Sequence, residues 1–255
     1  MRLDPAARAA GVRLATYDEI GSTNAEALAR ARRGERGPLW IVAERQTAGR
    51  GRHGRAWASE PGNLYATLLL SEAAPAPRAP ELAFVAALAV YDAVAEAAPA
   101  LAPRLMLKWP NDLLCDGAKL AGILIEGEGT AVAIGIGVNC RQHPAATSHP
   151  ATDLFACGAT VSPGNLMAML SRTMLGRLDQ WQRGNAFAAI RLDWLARAHA
   201  GGGAIRVRIG AREIAGRFEG IDDQGRLLLR SANGTLEAIS AGDVFPGLPL
   251  TVTAG

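Results

Sequence analysis

Lysine is nearly missing from this chain. Of 27 Lys and Arg residues in 255, only Lys108 and Lys119 are lysine, and both fall in the stretch KWPNDLLCDGAK. Cysteine is scarce too. Cys115, Cys140 and Cys157 are odd in number and lack CxxC spacing. That argues against a disulfide framework and a zinc site, and it suits a reducing compartment. The four histidines are scattered, so no His-based metal cluster is visible. No apolar run approaches the ~20 residues of a membrane span, and MRLDPAARAAGVRL lacks the apolar core of a signal peptide. A net charge of +3 is too small to imply nucleic acid or a bilayer. These absences predict a soluble, cytoplasmic protein with neither a membrane nor a nucleic-acid partner.

What is present is a globular composition. Hydrophobic residues make up 49 %, enough for a sizeable core in one large domain or a domain plus an appendage. Thr23-Asn24-Ala25-Glu26 has the form of a capping box before the helix-former AEALARARR, which Gly34 stops. Trp40 to Glu44 reads as a strand, 45–61 as a loop, and NLYATLLLS as a second strand. EAAPAPRAP is a surface connection. ELAFVAALAVYDAVAEAA, apolar almost all round, reads as a buried helix ending at Pro99.

Strands are expected over 104–108, 113–115, 120–126 and 131–138, turning at Asp116-Gly117 and Gly127-Glu128-Gly129. Helices are expected over 163–182 and 185–199. Gly201-Gly202-Gly203 predicts a domain boundary. Short strands with turns at Asp223-Gln224-Gly225 and Asn233-Gly234 follow. The prediction is an α+β fold: a mainly antiparallel mixed sheet flanked by helices over 1–200, then a small all-β barrel over 201–255.

The chemistry concentrates in Gln46 to Arg55, QTAGRGRHGR. Gly49-x-Gly51-x-x-Gly54 formally matches a dinucleotide fingerprint, but Pro61-Gly62 breaks any helix that should follow it. An extended nucleic-acid surface would need more aromatics than one nearby Trp. Arg50, Arg52, His53 and Arg55 crowd together with no acid between them, an arrangement that an arriving anion would relieve. Three glycines allow the backbone to close on that anion. The two lysines, eleven residues apart, either supply a needed ammonium or cluster by chance. Mobile arginines and a fixed ammonium suit the meeting of a carboxylate with a triphosphate.

Five ordered motifs carry a resemblance: QTAGRGRHGRAW, GNLY, KWPNDL, KLAGILIE and GIGVN resemble the biotin–protein ligases from about Tyr17 to about Val244. The resemblance implies a catalytic-only form without the N-terminal DNA-binding domain of some members, and a C-terminal barrel of SH3-like type. It implies that biotin is activated with ATP and magnesium to biotinyl-5′-AMP, then passed to a lysine of a biotin carboxyl carrier domain. A homodimer is plausible by the same resemblance. It places Ser22, Thr23, Asn24, Gln46, Gly49, Arg50, Gly51, Arg52, Lys119 and Gly122 around biotin. It places Arg50, Arg52, Arg55, Trp57, Asn111, Asp112 and Asn139 around ATP. Lys119 and Arg52 are the expected catalytic groups, and Asp112 the candidate magnesium ligand.

Several positions have plainer readings. Ser22 or Thr23 could serve as a helix cap, Asn111-Asp112 as a turn after Pro110, and Trp57 as a stacking wall, a closing residue or a core aromatic. Trp109 reads as core, and Lys108 as a structural or nucleotide-side cation. An apolar floor for the bicyclic ring is expected from Leu120, Ala121, Gly122, Ile123 and Gly135-Ile136-Gly137. Cys140 and the 141–162 loop are assigned nothing. A lipoate or octanoate transferase of the same broad fold is the alternative.

Overall fold

A seven-stranded mixed sheet carries the fold in the computed structural model, which describes residues 1–73, 75–145, 147, 149–199 and 203–247. Its strands are β1 (Arg13–Ile20), β2 (Leu39–Gln46), β3 (Leu64–Ser71), β4 (Leu105–Lys108), β5 (Asp112–Cys115), β6 (Ala118–Glu128) and β7 (Ala131–Val138), in the order β1-β2-β3-β7-β6-β5-β4. β1 and β2 are parallel; the other neighbours are antiparallel. A parallel pair needs a crossover, and helix α2 (Thr23–Arg32) supplies it.

Both faces of the sheet are covered, which is why β2 reads LWIVA without a polar break. Trp40 and Val42 join the main core, whereas Leu39 and Ile41 pack with Ala27 of α2 on the other face. The main-core face holds α3 (Leu82–Ala97), itself packed by α4 (Pro163–Trp181) and α5 (Phe187–Leu195). Being covered on several sides, α3 is apolar nearly all round. The short α1 (Pro5–Ala9) leans on α4.

The sequence reading misses α1 and β1. β1 is an edge strand with no fully buried residue, so RLATYDEI shows no hydrophobic alternation. The helix cap moves one residue: Ser22, not Thr23, is extended and accepts from the Ala25 amide at 3.4 Å. Glu26 therefore does not reach back as a capping box would; it pairs with Arg30 at 2.9 Å. β6 runs through Glu128, so the turn to β7 is shorter than expected, and α5 ends at Leu195 rather than 199.

The second sheet is antiparallel throughout: β8 (Ala204–Ile209), β9 (Arg212–Ile221), β10 (Leu227–Arg230), β11 (Leu236–Ile239) and β12 (Asp243–Pro246), in the order β11-β10-β9-β8-β12. It docks on the first unit through apolar contacts. Gly225 lies against the Phe84 and Phe187 rings, and buried Trp109 donates from Nε1 to the Gly225 carbonyl at 3.0 Å. One buried cluster therefore runs through both sheets. Gly201 and Gly202 of the expected boundary lie outside the described residues. No described helix is long and apolar enough to cross a membrane.

Candidate functional site

The cavity lies on the α2 face of the large sheet, and its floor is made by what β6 and β7 lack. Gly122 pairs directly with Gly137, and Gly135 follows two residues back on the same face of β7. Three side chains are thus missing from one patch of sheet, leaving bare backbone for a flat group to approach. The Trp57 indole lies there. A Cβ on Gly137 would stand 2.6 Å from Trp57 Nε1, and one on Gly122 would stand 2.9 Å from Cζ3. The Nε1 hydrogen is buried without a protein acceptor, so an incoming acceptor would satisfy it. Gly137→Ala is expected to displace the indole. Near-ultraviolet circular dichroism should change with little loss of Tm; an unchanged spectrum would show that the floor tolerates a methyl group.

The N-terminus of α2 forms one wall through a chain of hydrogen bonds. The Thr23 amide and hydroxyl both donate to Gln46 Oε1, at 2.8 and 3.1 Å, and Gln46 Nε2 donates to Ser59 Oγ at 3.0 Å. The buried Thr67 hydroxyl donates to Asn24 Oδ1 at 2.6 Å and lies 2.8 Å from Thr23 Oγ1. Asn24 Nδ2 donates to Glu126 Oε2 at 2.8 Å. Because Ser22 takes the cap, Thr23 and Asn24 are free to serve this wall. Their fixed amide and hydroxyl groups form a polar end beside an apolar floor.

The Arg/Gly loop forms the opposite wall and is folded. Arg50 and Ala56 make an antiparallel bridge, the Gly51 amide donates to the Arg55 carbonyl at 2.7 Å, and a single 3₁₀ turn spans Arg52–Gly54. No helix follows Gly54, which removes the dinucleotide reading. Acids distant in sequence relieve the expected charge crowding. Arg50 lies 3.4 Å from Glu126, and Arg55 lies 2.7 Å from Asp243. Arg52 donates to Asn111 Oδ1 and to the Gly242 carbonyl, both at 3.2 Å. Burial lowers the Arg52 pKa from its ordinary value, opposed by Asp243 and Asp112.

Both lysines converge on one carboxylate. Asp112 is 7 % exposed; Lys119 Nζ lies 2.6 Å from its Oδ1 and Lys108 Nζ 3.2 Å from its Oδ2. The first is a close ion contact. Burial opposes ionisation of Asp112, but the ammoniums of Lys119 and Lys108 together outweigh it and hold the carboxyl below its ordinary value. Lys119 Nζ also sits 5.2 Å from the Trp57 ring centroid, a contact worth about 0.5–1 kcal/mol. The segment left unassigned in the sequence fixes this lysine. The Lys119 amide donates to the Pro150 carbonyl at 2.8 Å, and the Thr152 amide donates to the Lys119 carbonyl at 2.9 Å.

A cavity of about 210 Å³ brings together Ser22, Thr23, Asn24, Gln46, Arg50, Gly51, Arg52, Arg55, Trp57, Asn111, Asp112, Lys119, Gly122 and Asn139. Gly49 is the exception. It packs behind the wall, where a Cβ would stand 2.5 Å from Ser59 Oγ and 2.6 Å from the Trp57 carbonyl. Leu120 and Ala121 are also not floor residues; both are buried in the main core. The structure places Asp112, the candidate magnesium ligand, as the counter-ion of two lysines. Among the described residues no group of three His, Cys, Asp or Glu could hold a metal. Sequence reasoning missed Thr147, His149 and Gly242 to Val244, which also line the cavity. Nothing local marks them, because they are brought in from other parts of the chain.

Residues 22–141 match the Biotin/lipoate A/B protein ligase family, and residues 201–247 match the Biotin protein ligase C terminal domain. The chain is 43 % identical over 240 residues to a biotin–[acetyl-CoA-carboxylase] ligase of Paracoccus denitrificans, covering 89 % of this chain and 97 % of that protein. It is 39 % identical over 234 residues to the Mycobacterium tuberculosis ligase of the same name, covering 89 % and 86 %. Its structure is similar to that of an Aquifex aeolicus biotin protein ligase in complex with biotin and ATP. The TM-score is 0.78 at 25 % identity, covering 91 % and 97 % of the two chains.

Proposed function

This chain belongs to the biotin/lipoate A/B protein ligase family, and from that premise we propose that it adenylates biotin and transfers the biotinyl group to a lysine of a carboxylase carrier domain. The observation that carries this reading is the convergence of Lys119 with Arg50, Arg52 and Arg55 on a cavity floored by Gly122, Gly135 and Gly137.

The chemistry follows from charge. A carboxylate oxygen attacks the α-phosphorus, the bond to the bridging oxygen breaks, and pyrophosphate leaves. Two anions must approach, so the protein's work is neutralisation and alignment. Lys119 lies at the floor, where it can face the carboxylate and the α-phosphate together. Arg50, Arg52 and Arg55 come from the facing wall, each able to grip an anion through parallel N–H groups. Gln46 and Thr23 suit a ureido group, with donors and acceptors fixed by the chain through Ser59 and Thr67. In the second step a carrier lysine attacks the acyl carbon, the mixed anhydride opens, and AMP leaves.

Division into a ligase unit over 1–200 and an SH3-like unit over 201–255 agrees with two separate hydrogen-bonded sheets. Magnesium is implied by the family resemblance, but a carboxylate facing two ammoniums is a poor donor for a dication, so Asp112 is not assigned to it. Cytoplasmic location agrees with three unpaired thiols.

The test is pyrophosphate–ATP exchange with purified protein. Exchange that requires biotin is the expected result. Exchange with lipoate or octanoate and none with biotin would overturn the reading in favour of a lipoyl-type ligase.

A further inference from the structure

Four consecutive residues of the C-terminal sheet touch three site residues drawn from two other segments. The Gly242 carbonyl accepts from Arg52 Nη2 at 3.2 Å. The Asp243 carboxylate holds Arg55 Nη2 at 2.7 Å. The Val244 carbonyl lies 3.2 Å from His149 Nε2, and the Phe245 ring stacks on the His149 imidazole with centroids 4.4 Å apart. His149 is followed by Pro150, whose carbonyl accepts the Lys119 amide. One strip of chain therefore reaches Arg52 and Arg55 directly and the backbone of Lys119 through His149 and Pro150.

The strip is built for close approach. A Cβ on Gly242 would stand 2.9 Å from Val207 Cγ1 and 3.0 Å from the Arg208 carbonyl, so a side chain there would push β12 off its neighbour β8. Asp243 is mostly shielded, at 23 % side-chain exposure. Its burial opposes ionisation, yet Arg55, Arg52 and His53 keep its carboxyl below the ordinary value.

We propose that strand β12 is a clasp for the nucleotide side of the site, with Asp243 as a positioning residue that holds Arg55 and its loop in the phosphate-binding arrangement. In this arrangement Asp243 acts through Arg55, whose guanidinium it holds. The Arg/Gly loop alone would pay a large ordering entropy on meeting a triphosphate, and a clasp supplied by the folded C-terminal sheet removes part of it. This gives the C-terminal unit a task in adenylation. The inference rests on the adenylation reading above.

The experiment uses the full chain with Asp243→Asn and Asp243→Glu. Asp243→Asn is expected to raise KM for ATP about threefold to tenfold in biotin-dependent exchange. KM for biotin and Tm should stay near wild type, and Asp243→Glu should restore KM for ATP. A merely structural role would instead lower kcat and Tm together, with no split between the substrates, and that result overturns the clasp. A second arm needs no activity. Trypsin should cut after Arg50, Arg52 or Arg55 several times faster in unliganded Asp243→Asn than in wild type. Wild-type protein without exchange would overturn the adenylation reading, while the trypsin arm would still decide whether Asp243 holds the loop. Unchanged cleavage and unchanged KM for ATP would overturn the clasp alone.

Discussion

Lys119→Ala is expected to lower biotin-dependent pyrophosphate exchange by about 10²–10³-fold, the range found when one preorganised electrostatic partner of a transition state is removed. Lys119 Nζ stands beside the glycine floor, 2.6 Å from Asp112 and over the Trp57 ring. Lys108 holds the other oxygen of the same carboxylate and is 12 % exposed. Lys108→Ala should therefore leave a folded enzyme with reduced but measurable exchange, because Lys119 keeps its counter-ion. Lys119→Arg should not rescue, since a planar fork cannot replace a compact ammonium between two oxygens. Equal losses from the two alanine variants would show that the lysines act as one unit, and the ranking of Lys119 above Lys108 would fall.

The second large effect is on Asp112. Asp112→Ala leaves two ammoniums facing each other with no carboxylate between them. Breaking a buried ion pair this way costs about 3–5 kcal/mol. The lower end applies here, because Lys119 is 27 % exposed and partly solvated. For a chain of this size the expected fall in Tm is about 10 °C, with exchange lost as well. Urea unfolding checks it; a loss under about 1 kcal/mol would show that the lysines find other partners. The acid dependence has a fixed sign. The folded carboxyl is held below its ordinary value, so its contribution is complete above about pH 4. It is lost as pH falls further, toward the folded value. Asp112→Asn should flatten that part of the stability profile.

These effects depend on partners that the sequence discloses unequally. Two lysines in an arginine-rich chain mark the stretch from 108 to 119, and their spacing is realised as a strand, a hairpin at Asp116-Gly117 and a second strand. The glycines were legible as places of close approach, but only strand register shows that Gly122 faces Gly137. The capping pattern marked the start of α2, yet the choice between Ser22 and Thr23 turned on Gln46, more than twenty residues away, competing for the Thr23 hydroxyl. The loop looked like uncompensated positive charge because Glu126 and Asp243 are distant in sequence. Like-charge crowding read from neighbours alone overstates the repulsion once folding brings acids in.

The sequence by itself determined the order of elements from α2 onward, the two-sheet layout, the Arg/Gly loop, the two lysines and, through five ordered motifs, the family. Each of those is a local property, written in hydrophobic period, turn chemistry or residue type. The tertiary structure alone decided that Asp112 serves two ammoniums and that residues 150–152 pin the backbone of Lys119. It also decided that Trp57 lies on the glycine floor and that a C-terminal strand reaches back to grip the loop arginines. Those depend on register, crossover and the docking of one sheet on another. Such long-range closures are set by the packing of the whole core rather than by any segment within it.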